Sequence, residues 1–249
     1  MAAADHIEAQ TNLGPMKTAS IDLALTLLDA DSVSGKLDDL KNRFPIVVTL
    51  LERHGAPLPT LRQFGSMCRR AENYELAMEA FVAALSLAPT DVRLWRDLSS
   101  IYECLSRDEL AETCLRKALE LEIVHADTWL RLAILTGRRG DAEESEKAFL
   151  SALALDPSLA EASFGLGALY LKVGRYEDAA EHFRNGIEHG DASGYVGLGR
   201  ATYMLAEFTK CAEAFEKAAA FGPLDADDFR QYARARSYAA FSSAMPSKP

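Results

Sequence analysis

No run of uninterrupted apolar residues approaches the ~18 needed to cross a bilayer as a helix, so no transmembrane segment is expected. No CxxC pair occurs either. The four cysteines, Cys68, Cys104, Cys114 and Cys211, are dispersed and form no framework of the secreted kind. They read as reduced, buried thiols of a cytoplasmic protein. The opening residues, MAAADHIEAQTNLGPMKTAS, hold no basic stretch followed by an apolar core, so no signal peptide is expected. Positive charge is in the minority: 27 Lys and Arg stand against 37 Asp and Glu, a net charge of −10. That balance argues against a general nucleic-acid or anionic-membrane binder, unless one face is locally basic.

Recognisable reaction chemistry is missing as well. His182 and His189 lie on a helix and its end, but no Cys, Asp or His cluster completes a metal site, and both read as surface histidines. The doublets Gly165-Leu-Gly167 and Gly197-Leu-Gly199 follow no strand. They sit inside helical patterns where small residues serve packing, so they do not read as a dinucleotide loop. Asp225, Asp227 and Asp228 read as a helix N-cap with first-turn acids. No Ser/His/Asp or Cys/His arrangement has local motif context. The expectation is a chain without catalytic residues, metal or cofactor.

Hydrophobic residues make up 49% of the chain, with abundant Ala and Leu and few β-branched runs. That composition suits an all-helical protein. The stretch from Ala160 to Asp191 sets small and aromatic residues at fixed intervals: Leu166-Gly167, Tyr170, Gly174, Ala179 and Phe183. The spacing recurs with a period near 34. Residues 58–91 carry Leu61, Phe64-Gly65, Ala77, Phe81, Ala84 and Pro89, with Cys68 where Tyr is usual. Residues 92–125 carry Trp95, Leu98, Tyr102, Ala111 and Ala118, with Ser99 for Gly, Leu115 for Phe and Ile123 for Pro. Residues 126–159 carry Trp129, Leu132, Phe149, Ala152 and Pro157, with Ala133 for Gly and Ser145 for Ala. Residues 160–191 are two short of the period, and residues 192–225 carry Tyr195, Leu198-Gly199, Phe215, Ala218 and Pro223, with Cys211 for Ala.

This is the pattern W-x₂-L-G-x₂-Y…A-x₃-F…P, and the chain resembles the tetratricopeptide repeat (TPR) family over about two thirds of its length. The resemblance implies an all-α, right-handed TPR superhelix (an α-solenoid) of about five helix-turn-helix repeats. Small residues let the two helices of a repeat approach, large ones fill the remaining space, and Pro ends the second helix. Ahead of the repeats, residues 1–17 are expected to lack fixed structure. Residues 18–57 read as a helical extension or degenerate repeat, with Ile21, Leu25 and Leu28 on one stripe. After the repeats, residues 226–243 read as a capping helix with Phe229, Tyr232, Tyr238 and Phe241 as apolar positions and Asp227, Arg230, Arg234 and Arg236 on a polar outer face. Residues 244–249 read as a loose tail.

In this family the first helices line a groove that binds extended peptides or partner helices. Carried over by register, the first three repeats offer Arg62, Gln63, Ser66, Arg69, Arg70, Arg93, Arg96, Asp97, Ser100, Glu103, Asp127, Leu130, Arg131, Ile134 and Arg138, a surplus of four positive charges. The last two offer Glu161, Phe164, Gly165, Ala168, Leu171, Lys172, Val196, Gly197, Arg200, Tyr203 and Met204, an apolar half whose small residues leave room for a ligand. Arg93 with Asp97 and Asp127 with Arg131 also stand at i,i+4 spacing and can neutralise one another.

The resemblance thus implies a cytoplasmic, noncatalytic adaptor for a protein or peptide with acidic and apolar residues. The contacts chosen are Arg62, Arg69, Arg93, Arg96, Arg131, Phe164, Leu171, Arg200, Tyr203 and Met204. A chaperone-tail clamp is disfavoured, because Arg62 and Ser66 stand at the matching positions and the usual Asn is absent. Two alternatives stay open: the substrate-recognition module of a larger enzyme such as a protein glycosyltransferase, and a scaffold that self-assembles through residues 18–57.

Overall fold

The computed structural model of the chain describes residues 58–190 and 192–244. The expected unstructured start, the helical extension at 18–57 and the residues after Ala244 lie outside the described residues. Among the described residues every element is helical, and none is a strand. None of these helices is long and apolar enough to cross a membrane. The described residues fall into two compact units that divide between Ile123 and Val124.

The first unit contains α1 (Leu58–Arg70), α2 (Tyr74–Leu87), α3 (Val92–Cys104) and α4 (Asp108–Leu121). The second contains α5 (Ala126–Arg139), α6 (Ala142–Leu155), α7 (Ala160–Val173), α8 (Tyr176–Glu188), α9 (Gly194–Met204), α10 (Phe208–Ala219) and α11 (Ala226–Ala244). Within each unit helices adjacent in sequence pack on one another, as the repeat spacing requires.

The small-residue positions explain that packing. A Cβ added at Gly65 would lie 2.9 Å from the Phe81 ring, one at Gly167 3.1 Å from Phe183, and one at Gly199 2.9 Å from Phe215. Where the sequence departs from the pattern, the extra atoms find partners. The Ser145 hydroxyl, standing for Ala, donates to the Ala133 carbonyl at 2.8 Å, and Ser99, standing for Gly, donates to the Arg96 carbonyl at 2.7 Å. Neither group is left unpaired in the core, where an unmade hydrogen bond would cost about 1–3 kcal/mol.

The turns inside the repeats share one construction. A residue with positive φ follows the first helix: Glu72, Ser106, Gly140, Gly174 and Ala206 in turn. The next N–H then returns to the last turn of that helix, Asn73 to Cys68 O, Arg107 to Tyr102 O, Asp141 to Thr136 O, Arg175 to Tyr170 O and Glu207 to Thr202 O, at 2.8–3.0 Å. This closes the helix in the left-handed manner that glycine serves best. Glycine is present in only two of the five turns.

Two expectations need correction. Cys104 is exposed at the end of α3, so only Cys68, Cys114 and Cys211 are buried thiols. The apolar positions assigned to α11 are mostly outward: Phe229, Tyr238 and Phe241 are exposed, and Tyr232, Ala235 and Asp228 face the preceding helices. The reason is that α11 has no following helix among the described residues to cover its far side.

Candidate functional site

In the first unit the first-helix positions converge on a cleft of about 370 Å³ lined by Leu58, Pro59, Arg62, Gln63, Ser66 and Asp97. Arg62 and Gln63 come from one turn of α1 and Ser66 from the next, and Asp97 comes from the middle of α3. Four of the groove positions carried over by register are therefore neighbours in space, one of them, Arg62, a chosen contact.

Asp91, which sequence reasoning passed over, organises this region. Its carboxylate accepts from the Arg93 N–H at 3.1 Å and so caps α3. The same carboxylate meets Arg93 Nε at 3.3 Å and Arg62 Nη1 at 3.5 Å. Partial burial pushes its pKa up, but the Arg93 side chain and N–H and the Arg62 charge outweigh that and hold it below the ordinary value. The surplus of positive charge is thus smaller than the count of groove positions implied. Arg93 turns to Asp91, two residues before it. A capping Asp just before α3 is a signal visible in sequence, but its tie to Arg62, 29 residues away, is not.

Arg69 lies exposed in the last turn of α1, while Arg96 is half-buried in α3. In the second unit Arg131 is half-buried on α5, and Leu130 beside it is buried in the core instead of facing a ligand.

The small residues assigned as ligand space in the second unit are filled. A Cβ at Gly165 would lie 2.5 Å from the Phe149 ring, and one at Gly197 2.3 Å from the Phe183 ring. Each glycine admits an aromatic ring from the second helix of the preceding repeat, so neither leaves room for a ligand. Phe164 meets Phe183 edge-on at 5.5 Å, and Leu171 is half-buried. Tyr203 packs edge-on against Phe208 at 6.0 Å, with Arg234 of α11 beside it. Met204 is exposed. Arg200 reaches Asp228 at 2.6 and 2.8 Å and Asp225 at 3.0 Å, so its guanidinium binds the start of α11. Asp225 meanwhile accepts from the N–H groups of Asp227 and Asp228 at 2.9 and 2.8 Å, the N-cap role read from its sequence.

His182 is half-buried beside Tyr170, and His189 is exposed. No group of three or more His, Cys, Asp or Glu among the described residues is placed to hold a metal ion.

Comparison with known proteins agrees with this architecture. The family model described as "Tetratricopeptide repeat" matches residues 63–91, most of α1 with α2 and the cap at Asp91. A peroxisomal targeting signal receptor of Candida albicans is 29% identical over 113 residues, 44% of this chain and 19% of the receptor. The chain therefore matches about a fifth of that relative's length. Among solved structures, Pseudomonas aeruginosa PilF aligns with a TM-score of 0.65 at 14% identity, over 89% of this chain and 99% of that one. YrrB, described as a TPR protein with an unusual peptide-binding site, aligns with a TM-score of 0.61 at 17% identity, over 76% and 97%. The repeat spacing, the paired helices and these likenesses agree on the helical-repeat fold of tetratricopeptide repeat proteins, with one repeat matched directly at residues 63–91.

Proposed function

We propose that this chain is a cytoplasmic, noncatalytic adaptor that holds a peptide or helix of a partner protein on its first-helix faces. The cleft in the first unit carries this reading, because it gathers Arg62, Gln63, Ser66 and Asp97 around open space of about 370 Å³. Guanidinium groups there engage carboxylates, with Arg62, Arg69, Arg93 and Arg96 as the polar contacts. In the second unit Arg131 supplies a further charge, and Phe164, Leu171, Tyr203 and Met204 form the apolar contacts. The description of YrrB as a protein with a peptide-binding site supports a peptide as the ligand class.

The test is capture from soluble extract on the immobilised protein, eluted by rising salt. Arg69→Glu combined with Arg93→Glu reverses two exposed charges without touching the core. A partner eluted by salt and lost on this double substitution supports the reading. A partner held equally well by wild type and variant, with unchanged salt dependence, overturns it.

A further inference from the structure

Two joints of the same kind lie within the second unit. At the first, between α6, α7 and α8, Tyr170 fills the space. The residue is 4% exposed, and its ring stands 5.5 Å from the His182 ring and lies under the Arg175 guanidinium at 4.1 Å. Its hydroxyl donates to Glu146 Oε1 at 2.7 Å.

The second joint, between α8, α9 and α10, lacks both rings. The repeat register places Thr202 where Tyr170 stands and Ala214 where His182 stands. Thr202 turns its hydroxyl back to the carbonyls of Leu198 and Gly199, at 2.7 and 3.1 Å, and brings no ring to the joint. A cleft of about 280 Å³ opens there, with Ile187, Tyr195 and Leu198 among its lining. Arg184, Lys210 and Lys217 line it too, beside Glu188 and Glu213. Lys210 is matched by Glu207 at 2.9 Å, and the Lys217 ammonium already stands 5.5 Å over the Tyr195 ring.

We propose that this cleft is a docking site for one aromatic side chain, Tyr or Phe, carried on a segment of a partner protein. The occupant is defined by what the neighbouring joint holds: a buried tyrosine ring with a cation over its face. A cation within about 6 Å of a ring centroid attracts it, and Arg184 and Lys217 flank the opening as Arg175 covers Tyr170. The cleft is formed by α8, α9 and α10, apart from the cleft of Arg62, and the inference does not depend on that surface's role.

Methyl NMR of the whole chain tests this with p-cresol, cyclohexanol and the peptide Ac-Gly-Ser-Tyr-Ser-Gly-NH₂. p-Cresol is expected to shift the Ile187 and Leu198 methyl signals saturably, with cyclohexanol at least about tenfold weaker because it has no π face. The peptide is expected to shift the same signals. The double substitution Thr202→Tyr with Ala214→His rebuilds the filled joint and is expected to abolish both responses. Lys217→Ala, which leaves the core intact, is expected to weaken them several-fold. Equal responses to p-cresol and cyclohexanol, or responses that survive the rebuilt joint, overturn the proposal. Binding of p-cresol without the peptide marks a small-molecule site and overturns it as a docking surface. Self-association abolished by the rebuilt joint assigns the occupant to a second copy and overturns the partner assignment.

Discussion

Arg200 and Asp228 face each other through two hydrogen bonds, Nε to Oδ1 at 2.6 Å and Nη2 to Oδ2 at 2.8 Å, and the Asp228 side chain is 3% exposed. The pair fastens the first turn of α11 to α9. Arg200→Met is expected to leave that carboxylate enclosed without its cation. Breaking a fully buried pair costs about 3–5 kcal/mol, and the solvent access of Arg200 reduces this to about 1–3 kcal/mol. Limited proteolysis checks it: cleavage within α11 should accelerate before the rest of the second unit is cut.

Gly197→Ala is expected to destabilise the protein by about 1–3 kcal/mol, the usual range for overpacking. The added methyl would lie 2.3 Å from Phe183 Cζ, and that ring cannot swing aside because Gly167 and Phe164 hold its other faces. Urea unfolding measures the loss. An unchanged or raised midpoint would mean that the helix preference of Ala outweighs the clash.

The intrarepeat turns allow a paired experiment. Ala206 occupies a left-handed conformation at φ 57°, whereas Gly174 meets the same demand at φ 83°. Ala206→Gly is expected to stabilise by about 0.5–1 kcal/mol, and Gly174→Ala to destabilise by about 1 kcal/mol. The shifts should appear as opposite changes in urea midpoint at constant slope.

Glu146 is held below the usual carboxylate range first by the Tyr170 hydroxyl that donates to it; burial opposes this, and Arg175 adds to the lowering. A carboxyl lowered in the folded state stabilises fully above its unfolded pKa of about 4.3 and loses that contribution as pH falls through the folded value. Tyr170→Phe removes the leading donor. Stability followed by urea unfolding below about pH 4.3 should therefore fall less steeply in the variant than in wild type, and equal slopes would refute the linkage.

Thiol labelling separates Cys104 from the others. Burial raises the Cys68 thiol to about 12 and the Cys114 and Cys211 thiols to about 11, the last despite a Thr202 hydrogen bond that lowers it. Ellman's reagent at neutral pH should titrate Cys104 alone in the native protein and all four thiols in denaturant.

The repeat architecture was legible because its cause is local. Two helices approach closely only where one has a small side chain, and Gly65 with Phe81 or Gly167 with Phe183 writes that requirement at a fixed interval. Register also located Arg62, Gln63, Ser66 and Asp97, which the fold brings to one cleft. It failed where the answer lay in another repeat. Gly165 and Gly197 looked like free space because Phe149 and Phe183, which fill them, are contributed by the preceding second helices. Asp91 was missed because one loop carboxylate serves both a helix cap and two arginines. The turns at Glu72, Ser106 and Ala206 carried no glycine to announce their handedness. The open joint at Thr202 and Ala214 did have a signal, the loss of two rings relative to Tyr170 and His182 in the repeat before it.

Phe183 touches the glycine of its own repeat and the glycine of the next, so it belongs to two repeats at once. The sequence therefore constrains how this array can have grown. The fifth repeat fits behind the fourth because residue 197 has no side chain, while the second and third repeats carry Asp97 and Arg131 at the matching position. Neither could take the fifth repeat's place without displacing Phe183. Exchanging one repeat for another would need a paired change across this junction, so the repeats are not interchangeable parts.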